Sequence, residues 1–303
     1  MRAIDLFAGW GGFTTGATQA GAQVVWAANH WPLAVQTHLD NHPGVEHVCQ
    51  DLRQADWTKL PRFDLLLASP ACQGHSTSSQ PKRRTYHDAM RATAWAVVDC
   101  AEVTRPRALV VENVPSFARW PLYPLWQQAL QMLGYQLQLQ VLRASHFGVP
   151  QRRDRLFITG LLGKTPPVIR PLSDVEPAFG PCIEWEAPGW RPIASCGGAG
   201  ARRRIEVAKR NHGPRCLSQH VTGHPGVPLH EPIRTLTTKD QWVVVDGDNY
   251  RPINIREVAR GMGFPDSYRV PAEATRLDQM KGFGNAVPPP MACGVVGQIM
   301  EAA

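Results

Sequence analysis

The chain has 303 residues, a length that fits one large domain or two smaller ones. A hydrophobic fraction of 43% is enough for a buried core, and a charged fraction of 19% is too low for a disordered chain. Lysine and arginine outnumber aspartate and glutamate by 32 to 25, so the net charge is +7. A basic surface suits a polyanion such as nucleic acid, although charge also serves solubility alone.

The seven cysteines form no CxxC pair, and the chain runs from Met1 into an apolar segment instead of a secretory signal. No uninterrupted apolar stretch approaches about 18 residues, the length that a membrane-spanning helix needs. We therefore expect a cytoplasmic protein without disulfides and without contact with a membrane. Its alanine, arginine and proline content suggests a bacterial or phage gene, and a DNA partner would associate the protein with the nucleoid.

Short apolar segments alternate with amphipathic ones in the first half of the chain. This pattern predicts strands at 3–7, 23–28, 47–51, 63–68, 108–111, 136–142 and 155–161. It predicts helices at 14–20, 32–41, 88–104 and 121–133, and later at 254–262 and 288–300. The alternation indicates an α/β fold with a doubly wound, mostly parallel sheet. Residues 164–235 are rich in Pro, Gly, Arg, Trp and His, which predicts a smaller, irregular unit.

The first predicted strand turns through glycines into a helix, in the segment DLFAGWGGFTTG at 5–16. Gly9, Gly11 and Gly12 allow a ligand to approach the backbone closely, and a helix N-terminus offers free amide donors. The G-x-G-x-x-G spacing of dinucleotide-binding loops would need glycine at position 14, where this chain has Thr14. The turn therefore fits a nucleotide-like ligand or an ordinary tight connection.

Three further polar groups adjoin predicted strands. Cys72 follows the strand at 63–68, Glu112 ends the strand at 108–111, and Arg153 and Arg155 lead into the strand at 155–161. Ligands bind at the carboxyl ends of strands in open α/β sheets, so the thiol and carboxylate are well placed. Arginines at alternate positions can converge on one anionic or carbonyl group. Each residue alone has a structural explanation, but together they favour a catalytic site.

The order of these segments resembles that of the C5-cytosine DNA methyltransferase family. Six motifs carry the resemblance: DLFAGWGG (5–12), SPACQGHS (69–76), ENV (112–114), QRRDR (151–155), NIREVARGMGFPDSY (254–268) and GNAVPPPMACGV (284–295). The similarity covers about residues 1–162 and 232–303. It implies a Rossmann-like catalytic domain of residues 1–163 and 265–303, and a target-recognition domain of residues 164–264 that includes the variable stretch 164–231.

The resemblance implies a mechanism on double-stranded DNA. A cytosine flips out of the duplex, Cys72 adds to C6 of the ring, and C5 takes the methyl group of S-adenosyl-L-methionine. Glu112 binds the ring N3 and the exocyclic amine, while Arg153 and Arg155 orient the base and Glu112. The residues implied to bind the cofactor are Phe7, Gly9, Gly11, Gly12, Asn29, His30, Asp51, Leu52, Pro70, Asn285 and Ala286.

Two basic segments are expected to contact DNA. The first follows the nucleophile and lies where the family has a loop that closes on DNA. The second lies in the variable stretch, where arginines can bind phosphates or guanine edges. The residues are Gln73, Ser76, Lys82, Arg83 and Arg84 in the first segment, and Arg202, Arg203 and Arg204 in the second. The cysteines and histidines of this stretch match no zinc spacing, so we predict no metal site.

Two positions depart from the family pattern. Ala71 precedes Cys72 where the family usually has proline. Asn29 stands where we expect the glutamate that binds the ribose hydroxyls, and His30 stands where an aromatic or apolar residue stacks on adenine. An amide can still hydrogen-bond a hydroxyl, but it lacks the charge. The affinity or the identity of the cofactor is therefore open.

Three alternatives compete with DNA methylation. The first is methylation of cytosine C5 in tRNA, against which the basic insert at 164–231 argues. The second is a catalytically silent DNA-binding relative, against which the joint presence of Cys72, Glu112, Arg153 and Arg155 argues. The third, an NAD-dependent enzyme, fails at the glycine spacing. We expect a monomer, and whether a cognate restriction endonuclease accompanies it is open.

Overall fold

The computed structural model describes residues 1–71 and 92–303, and a seven-stranded sheet lies at the centre of the first half of the chain. The strands of the first half, with the short strand β7, are β1 (Arg2–Leu6), β2 (Gln23–Asn29), β3 (Glu46–Cys49), β4 (Leu65–Ala68), β5 (Ala108–Asn113), β6 (Tyr135–Arg143), β7 (Gln151–Arg152) and β8 (Asp154–Leu162). The sheet order is β3-β2-β1-β4-β5-β8-β6. The pairs among the first five strands are parallel, whereas β8 runs antiparallel to both of its neighbours.

The prediction of a doubly wound, mostly parallel sheet is confirmed. Each of the seven predicted strands is present with ends within two residues of those expected. The helices are α1 (Gly12–Gln19), α2 (Pro32–Asn41), α3 (Trp95–Thr104), α4 (Tyr123–Met132), α5 (Ala199–His212), α6 (Ile255–Gly261), α7 (Arg276–Asn285) and α8 (Pro289–Ala302). Of the helix expected at 88–104, the part at 88–91 lies outside the described residues.

The two faces of the sheet bury different sets of apolar side chains, as the two-residue period of a strand requires. Ile4 and Leu6 of β1 pack with α3 and α4 on one face. Ala3 packs with α1 and α8 on the other face. The C-terminal helix therefore lies directly against the helix that follows the glycine turn, which brings the two ends of the chain together.

A second sheet occupies the region in which the composition indicated irregular structure. Its members and one further short strand are β9 (Arg191–Pro192), β10 (Arg215–Gln219), β11 (Val227–Pro228), β12 (Ile233–Arg234), β13 (Trp242–Asp246) and β14 (Asn249–Pro252). Five of them form an antiparallel sheet in the order β11-β10-β13-β14-β9, and β12 pairs with β7. Strands β9, β11 and β12 have two residues each, which is too short for a hydrophobic period to be seen, so the regularity of this region was missed.

Within the described residues, no helix is both long and apolar enough to cross a membrane.

Gly16 allows α1 and α8 to approach each other closely. A Cβ at this position would lie 2.3 Å from the carbonyl oxygen of Pro289 and 2.5 Å from Cβ of Ala292. Alanine normally favours a helix over glycine by about 1 kcal/mol, but here the overlap should outweigh that gain. We expect Gly16→Ala to lower the free energy of unfolding by about 1–3 kcal/mol in urea denaturation.

Gly44→Ala is the matched control, since nothing lies within 4 Å of a Cβ built at that position. It should change the free energy of unfolding by less than about 0.5 kcal/mol. Equal effects of the two substitutions would contradict the close packing of α1 on α8.

Candidate active site

A cleft of about 180 Å³ lies at the carboxyl ends of β1, β2, β4 and β5. Parallel strands end at one edge of a sheet, so the residues that follow four separate strands meet here. The lining comprises Phe7, Ala8, Gly9, Trp10, Phe13, Asn29, His30, Trp31, Ser69, Pro70, Ala71, Glu112, Lys281, Gly282, Asn285, Ala286 and Val287. It brings together seven of the eleven residues expected at the cofactor, together with Glu112.

The other four expected cofactor residues lie outside this lining. A Cβ on Gly11 would meet the hydroxyl of Tyr268 at 2.7 Å, and one on Gly12 would meet the carbonyl oxygen of Val287 at 2.1 Å. Both glycines therefore allow close packing behind the turn. Leu52 is buried, and Asp51 caps a short 3-10 helix at Leu52–Gln54 and pairs with Arg53 at 2.5 Å.

The backbone of the glycine turn adopts a conformation that side chains rarely favour. Phe7 has φ of +61°, and Gly9 and Gly11 have φ of +55° and +73°. Left-handed backbone at a non-glycine residue is uncommon and is concentrated at ligand sites. Hydrogen bonds hold the turn in place: Ser69 Oγ donates to the carbonyl of Phe7 at 3.3 Å, and the amide of Ala8 donates to Ala28 at 3.0 Å.

Two tryptophans that the sequence analysis did not single out supply an aromatic surface of the cleft, which His30 also lines. Trp10 and Trp31 stack with ring centroids 6.5 Å apart, and Nζ of Lys281 lies 4.2 Å from the centroid of Trp31. Oδ1 of Asn29 accepts a hydrogen bond from the amide of Trp31 at 3.0 Å, so this oxygen serves the start of α2. The tryptophan that directly precedes Pro32 was the signal that could have identified the aromatic position.

Glu112 and Arg155 form a buried ion pair at the end of β5. Nε of Arg155 lies 2.9 Å from Oε1 of Glu112, and their side chains are 12% and 9% exposed, respectively. Burial raises the pKa of the Glu112 carboxyl, while the charges of Arg155 and Arg153 oppose this rise. The net direction is upward, so the carboxyl holds a proton more readily than an exposed glutamate.

The charge of Arg153 acts on Glu112 together with that of Arg155, and its guanidinium also binds the backbone of other segments. Its guanidinium donates to the carbonyl oxygens of Leu236 at 3.0 Å, Gly284 at 2.8 Å and Ala286 at 3.3 Å. Arg153 lies between the end of β7 and the start of β8, so the two-residue period of a strand does not extend across it. This arginine fixes the backbone on both sides of Asn285, on the cofactor side of the cleft.

The segment that directly precedes Cys72 is hydrogen-bonded to the strand that carries Glu112. Nδ2 of Asn113 donates to the carbonyl of Pro70 at 3.0 Å, and Ala71 lines the cleft. Cys72 and the expected DNA contacts Gln73, Ser76, Lys82, Arg83 and Arg84 lie outside the described residues.

A family model described as C-5 cytosine-specific DNA methylase matches residues 1–178 and 198–301. The chain belongs to this family. The methyl donor of C-5 cytosine-specific DNA methylases is S-adenosylmethionine, and their reaction is methylation of cytosine C5 in DNA. The expected family, activity class and cofactor are therefore confirmed.

Individual relatives match nearly the whole chain. The type II methyltransferase M.NlaX of Neisseria lactamica is 26% identical, with 100% of this chain and 97% of that protein covered. The type II methyltransferase M.HhaI of Haemophilus parahaemolyticus is 25% identical, with coverage of 95% and 90%. The Dnmt2 methyltransferase of S. pombe has the same fold, with a TM-score of 0.72 at 16% identity and coverage of 100% and 98%.

The three consecutive arginines expected to bind DNA in this methylase lie on α5 and point in different directions. Successive helical residues are about 100° apart, so adjacent side chains cannot share one face. Arg202 is exposed and donates to the carbonyl of Ala194 at 2.6 Å, and Arg203 is exposed. Arg204 is half-buried, and burial, followed by the charge of Arg204, lowers the pKa of His220. Among the described residues, no group of three His, Cys, Asp or Glu is arranged to hold a metal.

The different partners of the two arginines predict different kinetic defects. Arg153→Lys loses hydrogen bonds beside Asn285 and should raise the KM for S-adenosylmethionine about tenfold, with a smaller change in kcat. Arg155→Lys loses the contact that orients Glu112 and should lower kcat about tenfold to a hundredfold with little change in that KM. Steady-state kinetics on both variants, with thermal melting to confirm folding, tests this; two defects of the same kind would contradict the separate roles.

Proposed function

We propose that this chain methylates C5 of cytosine in double-stranded DNA with Cys72 as the nucleophile and Glu112, oriented by Arg155, as the acid that binds the base. The observation that carries the proposal is the shared cleft. Glu112 lines the cleft on one side, and the strained turn at Phe7 and Gly9 lines it on another. Ala71, which directly precedes Cys72 in the sequence, also lines it. A base and a methyl donor can therefore meet in one enclosed space.

The cofactor side of the cleft fits S-adenosylmethionine. The faces of Trp10 and Trp31 suit an adenine ring, and the backbone of the glycine turn leaves room for the chain that carries the sulfur. Asn285 and Ala286 complete this side, and Arg153 fixes their backbone. S-adenosylmethionine bound there supplies an electrophilic methyl group on a sulfonium centre.

The chain's own groups carry out the activation of the base. The target cytosine leaves the duplex stack at a cost of roughly a few kcal/mol. The thiolate of Cys72 then adds to C6, which moves electron density to C5 and toward N3. A protonated Glu112 donates to N3 and offsets the developing charge, and its carbonyl oxygen accepts from the exocyclic amine. After C5 is substituted, water accepts the C5 proton, the bond between C6 and sulfur breaks to release the Cys72 thiolate, and N3 returns its proton to Glu112, so that the aromatic ring is restored.

We assign residues 1–163 and 265–303 to the catalytic domain and residues 164–264 to the target-recognition domain. The separate five-stranded sheet and the basic helix α5 support this division. Strand β12 pairs with β7 in a separate two-stranded sheet, so the proposed recognition unit contacts the proposed catalytic domain next to Arg153. In our proposal the protein acts as a monomer in a bacterial cytoplasm, where the DNA is.

Label transfer from tritiated S-adenosylmethionine tests the substrate. We expect label at C5 of cytosine in mixed-sequence duplex DNA and none with Cys72→Ala, because that substitution removes the nucleophile. Total tRNA serves as the competing substrate in the same assay. Label in tRNA alone would show that the substrate is RNA. Label in neither nucleic acid, in a protein that still binds the cofactor, would indicate a catalytically silent DNA-binding relative.

Glu112→Gln separates proton donation from hydrogen bonding. Glutamine can donate to N3 and accept from the exocyclic amine, but it cannot transfer a proton. Because general acid catalysis contributes about 10²–10⁴-fold, we expect kcat to fall at least about a hundredfold. The Kd for S-adenosylhomocysteine, measured by calorimetry, should stay within about twofold of the wild type. An unchanged kcat would refute the role of Glu112 as an acid.

A further inference from the structure

A hydrogen-bonded chain of polar side chains lies directly behind the glycine turn and has no role in the mechanism above. Oγ1 of Thr14 donates to Oδ2 of Asp5 at 2.8 Å, Nε2 of His38 lies 3.0 Å from Oγ1 of Thr14, and Nε2 of His47 lies 2.7 Å from Nδ1 of His38. Asp5, Thr14 and His38 are buried, whereas His47 is partly exposed. The chain therefore runs from the surface at β3 to the interior of β1.

The network contacts the turn itself. The space that a Cβ on Gly11 would occupy is filled by the hydroxyl of Tyr268 at 2.7 Å and by the rings of His38 and His42, each at 3.0 Å. Thr15 Oγ1 donates to the carbonyl of Gly11 at 2.8 Å and lies 3.1 Å from Nε2 of His42. Side chains of the network thus determine the position of a backbone that borders the cleft.

The backbone is also held one residue before Gly11, where the hydroxyl of Tyr268 donates to the carbonyl of Trp10. Trp10 lines the cleft and stacks on Trp31. Two successive carbonyls of the turn are therefore held by hydroxyl groups from α1 and from the segment after α6. A shift of either hydroxyl would move an aromatic wall of the cofactor cleft.

The hydrogen bonds of the network require neutral imidazoles. Because Thr14 donates to Asp5, His38 must donate from Nε2 to Thr14, and its Nδ1 must accept from His47. A proton on Nδ1 of His38 would remove that acceptor. The ring of His38 also lies 4.7 Å from that of His42 and 4.8 Å from that of His47, so two imidazolium ions at these positions would repel each other.

The surroundings keep the three imidazoles neutral. Burial and the neighbouring histidines lower the pKa of His38 and bring that of His42 to about 4, and burial lowers the pKa of His47. The other titratable groups that face the network are Asp5, whose pKa burial raises to about 7, and Tyr268, whose pKa burial also raises. Since the folded-state values of the histidines lie below the ordinary 6.5, their contribution to stability is complete above that pH and is lost as the pH falls toward 4.

We propose that Thr15, His38 and His42 are positioning residues that hold the Trp10–Gly11 backbone in its cofactor-binding conformation, and that protonation of the histidines weakens cofactor binding. This inference rests on the proposed use of the cleft for S-adenosylmethionine. It goes beyond that use, since none of these residues lines the cleft. Their effect should appear in the affinity for the cofactor and not in the chemical step.

A matched pair at Thr15 tests the positioning role at neutral pH. Thr15→Val keeps the shape but removes the hydroxyl, and we expect it to raise the Kd for S-adenosylhomocysteine about tenfold by calorimetry. Thr15→Ser keeps the hydroxyl and should stay within about twofold of the wild type. Thr15→Val should raise the KM for S-adenosylmethionine and leave kcat at saturating cofactor unchanged. Wild-type affinity in Thr15→Val, or a loss confined to kcat, would overturn the proposal.

The pH dependence of binding tests the role of the imidazoles. Because the pKa of His42 is about 4 and that of His38 is also lowered, the wild-type Kd for S-adenosylhomocysteine should change little between pH 7 and pH 5 and should rise about fourfold or more as the pH falls to about 3.5. His38→Gln keeps an amide donor for Thr14 but cannot titrate, so its Kd should rise less than about twofold over the same range. The exposed His230→Gln is the control and should follow the wild type. Thermal melting at each pH identifies any variant that is unfolded.

Asp5→Asn distinguishes the effect of Asp5 titration on cofactor binding from that of the histidines. The control is needed because Asp5 titrates in a neighbouring pH range with the opposite effect on stability. If Asp5→Asn retains the acid-side loss of affinity and His38→Gln abolishes it, the histidines are responsible. If His38→Gln retains the full loss, the proposal is wrong. Binding of S-adenosylhomocysteine requires no methyl transfer, so a protein that shows this pH dependence but labels no nucleic acid would refute the proposed function alone.

Discussion

The parallel arrangement of β1, β2, β4 and β5 is the constraint on which the rest of the structure depends. It requires the residues after four distant strands to meet at one edge of the sheet. The strained turn after β1, the aromatic Trp31 after β2, the loop at Pro70 after β4 and Glu112 at the end of β5 therefore share one cleft. The C-terminal residues Asn285 and Ala286 complete the cleft only because α8 returns the chain to α1.

The segment from Gln151 to Arg155 joins three parts of the molecule through side chains of different kinds. Gln151 accepts from the amide of Leu236 at 2.8 Å and donates to the carbonyl of Gly261 at 3.0 Å. Arg153 binds the carbonyls on both sides of Asn285, and Arg155 pairs with Glu112. Buried arginines need such partners because an unpaired charge in the interior is costly. The orientation of Glu112, the backbone around Asn285 and the attachment of the segments at Leu236 and Gly261 thus depend on one short segment.

The sequence predicted the sheet and most of the cleft, and its failures have local physical causes. Apolar segments marked each strand of the seven-stranded sheet, whereas β7, β9, β11 and β12 have two residues each and show no period. The alternate spacing of Arg153 and Arg155 suggested a common target, and the charges of both act on Glu112, but the bonds of Arg153 to distant backbone carbonyls left no signal in the sequence. The roles of Gly11 and of Trp31 depend on which side of the backbone each neighbour occupies. That information arises only from tertiary packing.

Two buried carboxyl groups differ in their partners, and the difference fits their positions. At the end of β5, Glu112 lines the cleft and is paired with a permanent charge, so this part of the cleft is polarised. Behind the glycine turn, Asp5 has only neutral partners, Thr14 and through it His38, and its Oδ1 has no hydrogen-bond partner among the described residues. An ionised Asp5 would carry an incompletely satisfied buried charge, so burial raises its pKa to about 7 and the protonated acid is favoured below that pH. A neutral network holds the backbone without placing a fixed charge beside the turn, and it does so only while its histidines remain unprotonated.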